Sequence, residues 1–195
     1  IVALGAYAYF TQLQAGLEVT AMRNNVLWGL YITNFVFFIG ISHVGALMSA
    51  ILRLSGADWR HPITRMAEAI TFCSLVFGAL MPIVDLGRPD RILNLLLYGR
   101  IQSPILWDMI SITTYLIGSS IFLLLPLIPD IAMLRDRLRG ISRVRMWLYR
   151  KLSLGWKGTP DQRAHLDKAI NTMTILILPI AISVHTVVSW IFGMT

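Results

Sequence analysis

The chain holds one cysteine, ten acidic residues and only 14% charged residues overall in 195, well below the roughly 25% usual for a soluble domain. A single thiol, Cys73, excludes an internal disulfide and a cysteine-ligated iron–sulfur cluster. It falls inside an apolar run and reads as a small buried hydrophobe. There is no Walker loop, dinucleotide fingerprint, zinc-ligand spacing or nucleophile elbow, which removes the common nucleotide-dependent and hydrolytic classes. Hydrophobic residues make up 56% of the chain, and the mean hydropathy is +0.67. Such a composition is suited to lipid as solvent.

The charges leave long gaps. Residues 24–52 and 169–195 contain no Asp, Glu, Lys or Arg, 109–129 form a third such run and 69–84 a fourth that extends back toward Thr64. About 20 apolar residues span a bilayer core. Backbone polar groups in hydrocarbon must pair within their own segment, and apolar and polar residues do not alternate here as they would in a transmembrane barrel. The expected fold is therefore an all-α, polytopic integral membrane bundle. Its segments are the end of a membrane helix at 1–15, three membrane helices within 27–129, a basic segment at 130–168 and a further membrane helix at 169–195. Because the chain opens on Ile1 inside an apolar stretch, it is expected to be a piece of a longer protein.

Basic residues orient the bundle, since cytoplasmic loops are enriched in Lys and Arg. Ten of the 17 lie in 130–168 and three more are Arg53, Arg60 and Arg65, whereas the opposite connections hold only Arg23, Arg88, Arg91 and Arg100. Segments 53–65 and 130–168 are therefore expected in the cytoplasm, with 16–26 and 85–104 outside. The Arg residues of 135–151 are interleaved with Met146, Trp147, Leu148, Tyr149 and Leu152, a pattern of an interfacial helix on anionic headgroups rather than of a nucleic-acid surface. Thr159-Pro160-Asp161-Gln162 has capping-box spacing and predicts that the last helix begins on the cytoplasmic side. Pro179 should bend that helix.

Ionisable residues in membrane helices are costly and are functional candidates by default. His43 lies deep in 27–52, with Gly40, Ala46, Leu47 and Ala50 at helical spacing, so it should face protein, either as a chemical group or as a structural hydrogen bond. Asp85 ends the helix that starts near Thr64; it is a site candidate or an ion-pair partner within the turn containing Arg88, Asp90 and Arg91. Glu68 and Asp108 are placed near helix starts, where interfacial placement and a helix N-terminal charge are the alternatives. His185 follows the Pro179 bend. A bis-histidine haem needs both imidazoles at one depth. At about 1.5 Å per residue, His43 is roughly 15 Å from Arg53 and His185 roughly 25 Å from Lys168, so the expected depths disagree.

The run Trp28-Gly29-Leu30-Tyr31, Phe37 to Ala46, and Asp85-Leu86-Gly87-Arg88-Pro89 resembles the NrfD/polysulfide-reductase family of quinone-interacting membrane subunits. Arg65-Met66-Ala67-Glu68-Ala69, Ser103 to Asp108, Leu127 to Ala132, Leu154 to Gly158 and Ser183 to Thr186 resemble the version in bacterial alternative complex III. The resemblance implies two four-helix bundles in the whole subunit, of which this chain holds one, and no haem or iron–sulfur cluster of its own. It implies a respiratory or photosynthetic role in the inner membrane: oxidising menaquinol or ubiquinol near the periplasmic face and passing electrons to an extrinsic periplasmic iron–sulfur subunit, with cytochrome c and other membrane subunits as partners. His43 and Asp85 would be catalytic, Arg88 and Asp108 would join them in binding quinol, and Glu68 and His185 would belong to a proton route. A proton- or ion-translocating or anchoring subunit without quinone chemistry is the alternative.

Overall fold

A computed structural model of the chain describes residues 1–20, 22, 29–138 and 142–193, without the side chain of Leu96. Arg23 and Arg139, used in the charge count, and Trp28 of the Trp-Gly-Leu-Tyr run lie outside the described residues. Every regular element among the described residues is helical. In chain order these are α1 (Val2–Ala15), α2 (Leu30–Leu54), α3 (Arg60–Asp85), the short α4 (Ile92–Leu97), α5 (Pro104–Arg137), α6 (Arg143–Leu152) and α7 (Pro160–Gly193), with single 3₁₀ turns at Leu17–Thr20 and Pro89–Arg91.

Four helices, α2, α3, α5 and α7, are long and apolar enough to cross a membrane. They form a closed ring of neighbours: α2 packs on α3, α3 on α5, α5 on α7, and α7 returns to α2. The chain is thus a multi-pass integral membrane protein. Lipid tails are as apolar as leucine, so close packing, small residues and interhelical polar contacts must hold the ring. Phe35, Leu75, Tyr115, Phe122, Ile177 and Val184 fill its centre, while Phe37, Phe77, Ile117, Ile175 and Trp190 stand exposed on its outside.

The tightest approach is at Gly45. A Cβ there would lie 2.7 Å from Ala67 O and closer still to Thr71 Oγ1, so only glycine lets α2 and α3 meet. Gly40, expected to serve that purpose, has nothing near it and instead borders an open apolar groove with Val44 and Met48. Gly45→Val is accordingly expected to destabilise the bundle by about 1–3 kcal/mol through overpacking, read as a lower unfolding midpoint in detergent. Gly40→Ala should leave that midpoint unchanged.

Several boundaries shift from the expected ones. Helix α5 continues through Pro126 and Pro129 to Arg137, so Arg135 and Arg137 belong to its end and α6 is confined to ten residues. Arg135 anchors the connection that follows, donating to Ser153 Oγ and Trp156 O, both at 3.0 Å. The cap of α7 forms: Gln162 N donates to Thr159 Oγ1 at 3.3 Å. The Gln162 side chain reaches past the cap residue, accepting from Lys157 N and Gly158 N at 2.9 and 3.1 Å. Cys73 is exposed on the outside of α3, against the expectation of burial, because Thr71, Leu75 and Gly78 occupy that helix's inner face.

Candidate functional site

At the end of the bundle opposite the basic connections, the four membrane helices enclose a cavity of about 190 Å³. Its walls are mostly apolar: Ile32 and Phe35 from α2, Ile105 from α5, and Val188, Ile191 and Phe192 from α7. Two carboxylic acids interrupt them. Asp85, the last residue of α3, and Asp108, in the second turn of α5, both line the space. Among the described residues, Oδ1 of each is buried without a hydrogen-bond partner. Acceptors left open in an apolar cavity cost free energy, and a ligand with hydroxyl groups removes that cost.

Local sequence explains why Asp85 is there. Leu86 still adopts helical backbone angles, but Gly87 has a φ of 64°, a left-handed conformation that ends α3, and Pro89 follows. Leu17 packs against the Gly87 backbone so closely that a Cβ would sit 2.9 Å from its Cγ. Nearby, the buried Gln12 of α1 donates to Val84 O at 3.1 Å and accepts from Tyr31 Oη at 2.9 Å, which fastens α1 to the mouth of the cavity. The turn ion pairs considered for Asp85 are not made by it. Arg88 Nε faces Asp90 Oδ1 at 4.0 Å, with both side chains largely exposed.

The six sequence candidates therefore divide. Asp85 and Asp108 share the cavity. Arg88 points away from it, and His43 lies two turns deeper along α2 than Phe35. His43 is buried, stacked on Tyr115 with ring centroids 5.0 Å apart, and edge-on to His185 at 5.4 Å. The expected difference in depth between the two histidines is thus not present. The yardsticks were unequal: Arg53 is drawn inside the bundle by Glu68, and Lys168 lies more than two turns into a helix that begins at Pro160.

His43 places Nδ1 2.7 Å from Ile39 O and Nε2 2.7 Å from Ala181 O. A neutral imidazole has one donor and one acceptor nitrogen, so both contacts are hydrogen bonds only when the ring carries two protons. Beside it, Ser42 Oγ donates to Tyr115 Oη at 3.1 Å, and Thr71 Oγ1 lies 3.2 Å from Ser42 O. His185 itself is exposed on the bundle's outer side.

Glu68 is enclosed by the bundle. It is 1% exposed, pairs with Arg53, and accepts from Ser49 Oγ at 2.6 Å, with Oε2 unpartnered among the described residues. Arg53 also lies over the Phe122 ring, 5.5 Å from its centroid. In the sequence Arg53 served only as a membrane-edge marker, and Tyr115, Ser42 and Ser49 did not stand out. The signal for Tyr115 was spacing: it is seven residues from Asp108, two turns along the same helix face.

The chain is 31% identical over 99% of its length, and 41% of the relative's, to a Halobacterium salinarum protein named provisionally as a membrane subunit of dimethyl sulfoxide reductase. It is 27% identical to a selenate reductase subunit of Mesobacillus selenatarsenatis, over 99% of this chain and 46% of that protein. A third match, at 26% over 64% of this chain and 31% of the relative, is the Hdr-like menaquinol oxidoreductase integral membrane subunit of Archaeoglobus fulgidus. The chain spans less than half the length of these relatives. A sequence profile covers residues 18–195, and the chain belongs to the family it describes, Polysulphide reductase, NrfD.

Proposed function

We propose that this chain forms the quinone-handling bundle of a membrane-bound oxidoreductase and that the cavity at Asp85 and Asp108 holds the quinol head. The observation that carries this reading is the pairing of two unpartnered carboxyl oxygens with apolar walls that suit a lipid-soluble ring. A hydroquinone has two hydroxyl groups and loses two electrons and two protons on oxidation. Asp85 and Asp108 accept a hydrogen bond from one hydroxyl each and then take the protons. Phe35, Val188 and Phe192 exclude water from the ring. Electrons leave to an iron–sulfur partner subunit docked near the Asp85 turn, and cytochrome c and further membrane subunits complete the assembly. Menaquinol or ubiquinol fits the same requirement, and the potential of the partner subunit sets the direction of electron flow. On the charge asymmetry the cavity lies at the periplasmic face of the cytoplasmic membrane.

His43 and His185 stand behind this cavity as proton-holding groups. His43 Nε2 and Nδ1 both face carbonyls, which leaves neither open to a haem iron and favours proton transfer over the di-haem reading. The polar contacts through Ser42, Tyr115 and Thr71 lead toward Ser49 and Glu68, seven residues along α2, or about 10 Å. This line supports a proton route in the same subunit, with Glu68 as its far member.

A photoreactive quinone analogue tests the site. It is expected to label peptides containing Ile105–Asp108 and Val188–Phe192, and excess quinone should suppress the label. Labelling confined to the outer groove beside Gly40 and Val44 would refute the assignment.

A further inference from the structure

A second cavity, of about 450 Å³, opens at the basic end of the bundle between the starts of α3 and α7 and the proline-containing stretch of α5. Its polar walls include Arg53, Arg60, His61, Arg65, Asp167 and Asn171. Two of these charges are already matched, Arg53 by Glu68 and Arg65 by Asp130. The other two are not. Among the described residues neither Arg60 nor Asp167 forms an ion pair. Arg60 Nη1 donates to Ala57 O at 3.2 Å, but its Nε is buried without a partner.

Opposite charges that border one cavity without meeting leave room for a ligand carrying both signs. The start of α3 strengthens the positive side. Trp59 at its N-cap supplies no side-chain hydrogen bond; Arg60 N–H donates to Ala57 O at 3.2 Å and Pro62 has no N–H, so the N–H groups of His61 and Ile63 carry the positive end of this 26-residue helix. The negative side is Asp167 on α7, with Asn171 one turn further. Leu166 and Ile170 supply apolar wall next to them, at the level where the helices pass from charged ends into their apolar spans.

We propose that this cavity binds a phosphodiester bearing a primary ammonium, the headgroup of a phosphatidylethanolamine-type lipid. The phosphate lies against Arg60, His61 and the start of α3, and the ammonium donates to Asp167. A simple anionic headgroup would leave the carboxylate facing negative charge, and a quaternary ammonium has no N–H to donate. Basic pockets between membrane helices are known headgroup sites. The acid in this one sets the selectivity.

The test is native mass spectrometry of the full-length subunit with equal amounts of phosphatidylethanolamine, phosphatidylcholine and phosphatidylglycerol. The ethanolamine lipid is expected to be retained about tenfold over the choline lipid, the scale of one charge-assisted hydrogen bond. Asp167→Asn should abolish that preference. Arg60→Gln should weaken both lipids, and Arg60→Lys should restore binding. Equal retention of the two lipids by the unaltered subunit, or a preference unchanged by Asp167→Asn, overturns the proposal. Displacement of the lipid by millimolar inorganic phosphate assigns the site to a free anion and overturns it as well.

Discussion

Asp108→Asn is expected to lower quinol oxidation by the assembled complex about 10²–10⁴-fold, the usual contribution of a positioned proton acceptor. Asn keeps the size and a carbonyl acceptor, so the cavity and quinol binding should survive while proton removal fails. The deficit therefore belongs in kcat, with KM changed little. Asp85→Asn should behave alike. The two together should cost little more than either alone, since both protons must leave for turnover to complete. Steady-state oxidation of a soluble quinol analogue measures all three variants. Full activity in both single variants would remove these carboxylates from the mechanism. Arg88→Gln, at an exposed position outside the cavity, is expected to leave turnover within about twofold. A large loss there would favour the arginine-containing site expected from the motif.

Glu68→Ala is expected to cost about 3–5 kcal/mol, because it leaves the Arg53 guanidinium inside the bundle without its carboxylate. The Arg53 side chain is only 12% exposed and lies against Phe122, so rotating out to water also abandons that contact. Thermal unfolding in detergent should show a large drop in midpoint. Arg53→Met combined with Glu68→Ala should recover most of it, since replacing both charges removes the uncompensated one. Glu68→Gln separates structure from transport: the amide oxygen still accepts from Ser49 and Arg53, so the folded subunit persists. If Glu68 carries protons, Glu68→Gln in proteoliposomes should show unchanged quinol turnover with reduced proton movement. Equal proton movement would make Glu68 purely structural.

The membrane spans were legible because lipid imposes a strict rule. A charge-free run longer than a bilayer core has few alternatives to a spanning helix, so α2, α5 and α7 could be located from the charge positions alone, while α3, whose run at 69–84 is shorter, needed extension back over Glu68 toward Thr64. Helix ends were less legible. The start of α7 was marked by its capping box, but the charged end at 130–137 continues as helix beyond the apolar run, where composition resembles that of a loop. The same blindness produced the depth error for His43 and His185. Counting from the nearest charge assumes that charges mark the interface, and Arg53, paired with Glu68 inside the bundle, breaks the assumption.

By itself the sequence determined the class of protein, its spanning helices, the turn that ends α3 and the short list of ionisable residues, since each follows from local composition and the cost of charge in lipid. Only the tertiary structure decided how that list divides. Asp85 and Asp108, 23 positions apart, meet at one cavity because α3 and α5 run antiparallel, while Arg88, three residues from Asp85, turns outward after Gly87. His43 and His185 meet across α2 and α7, which no spacing along the chain could show. Those proximities depend on the rotation and stagger of each helix in the ring, set by close approaches such as Gly45 on Ala67, and a helix's own sequence specifies neither.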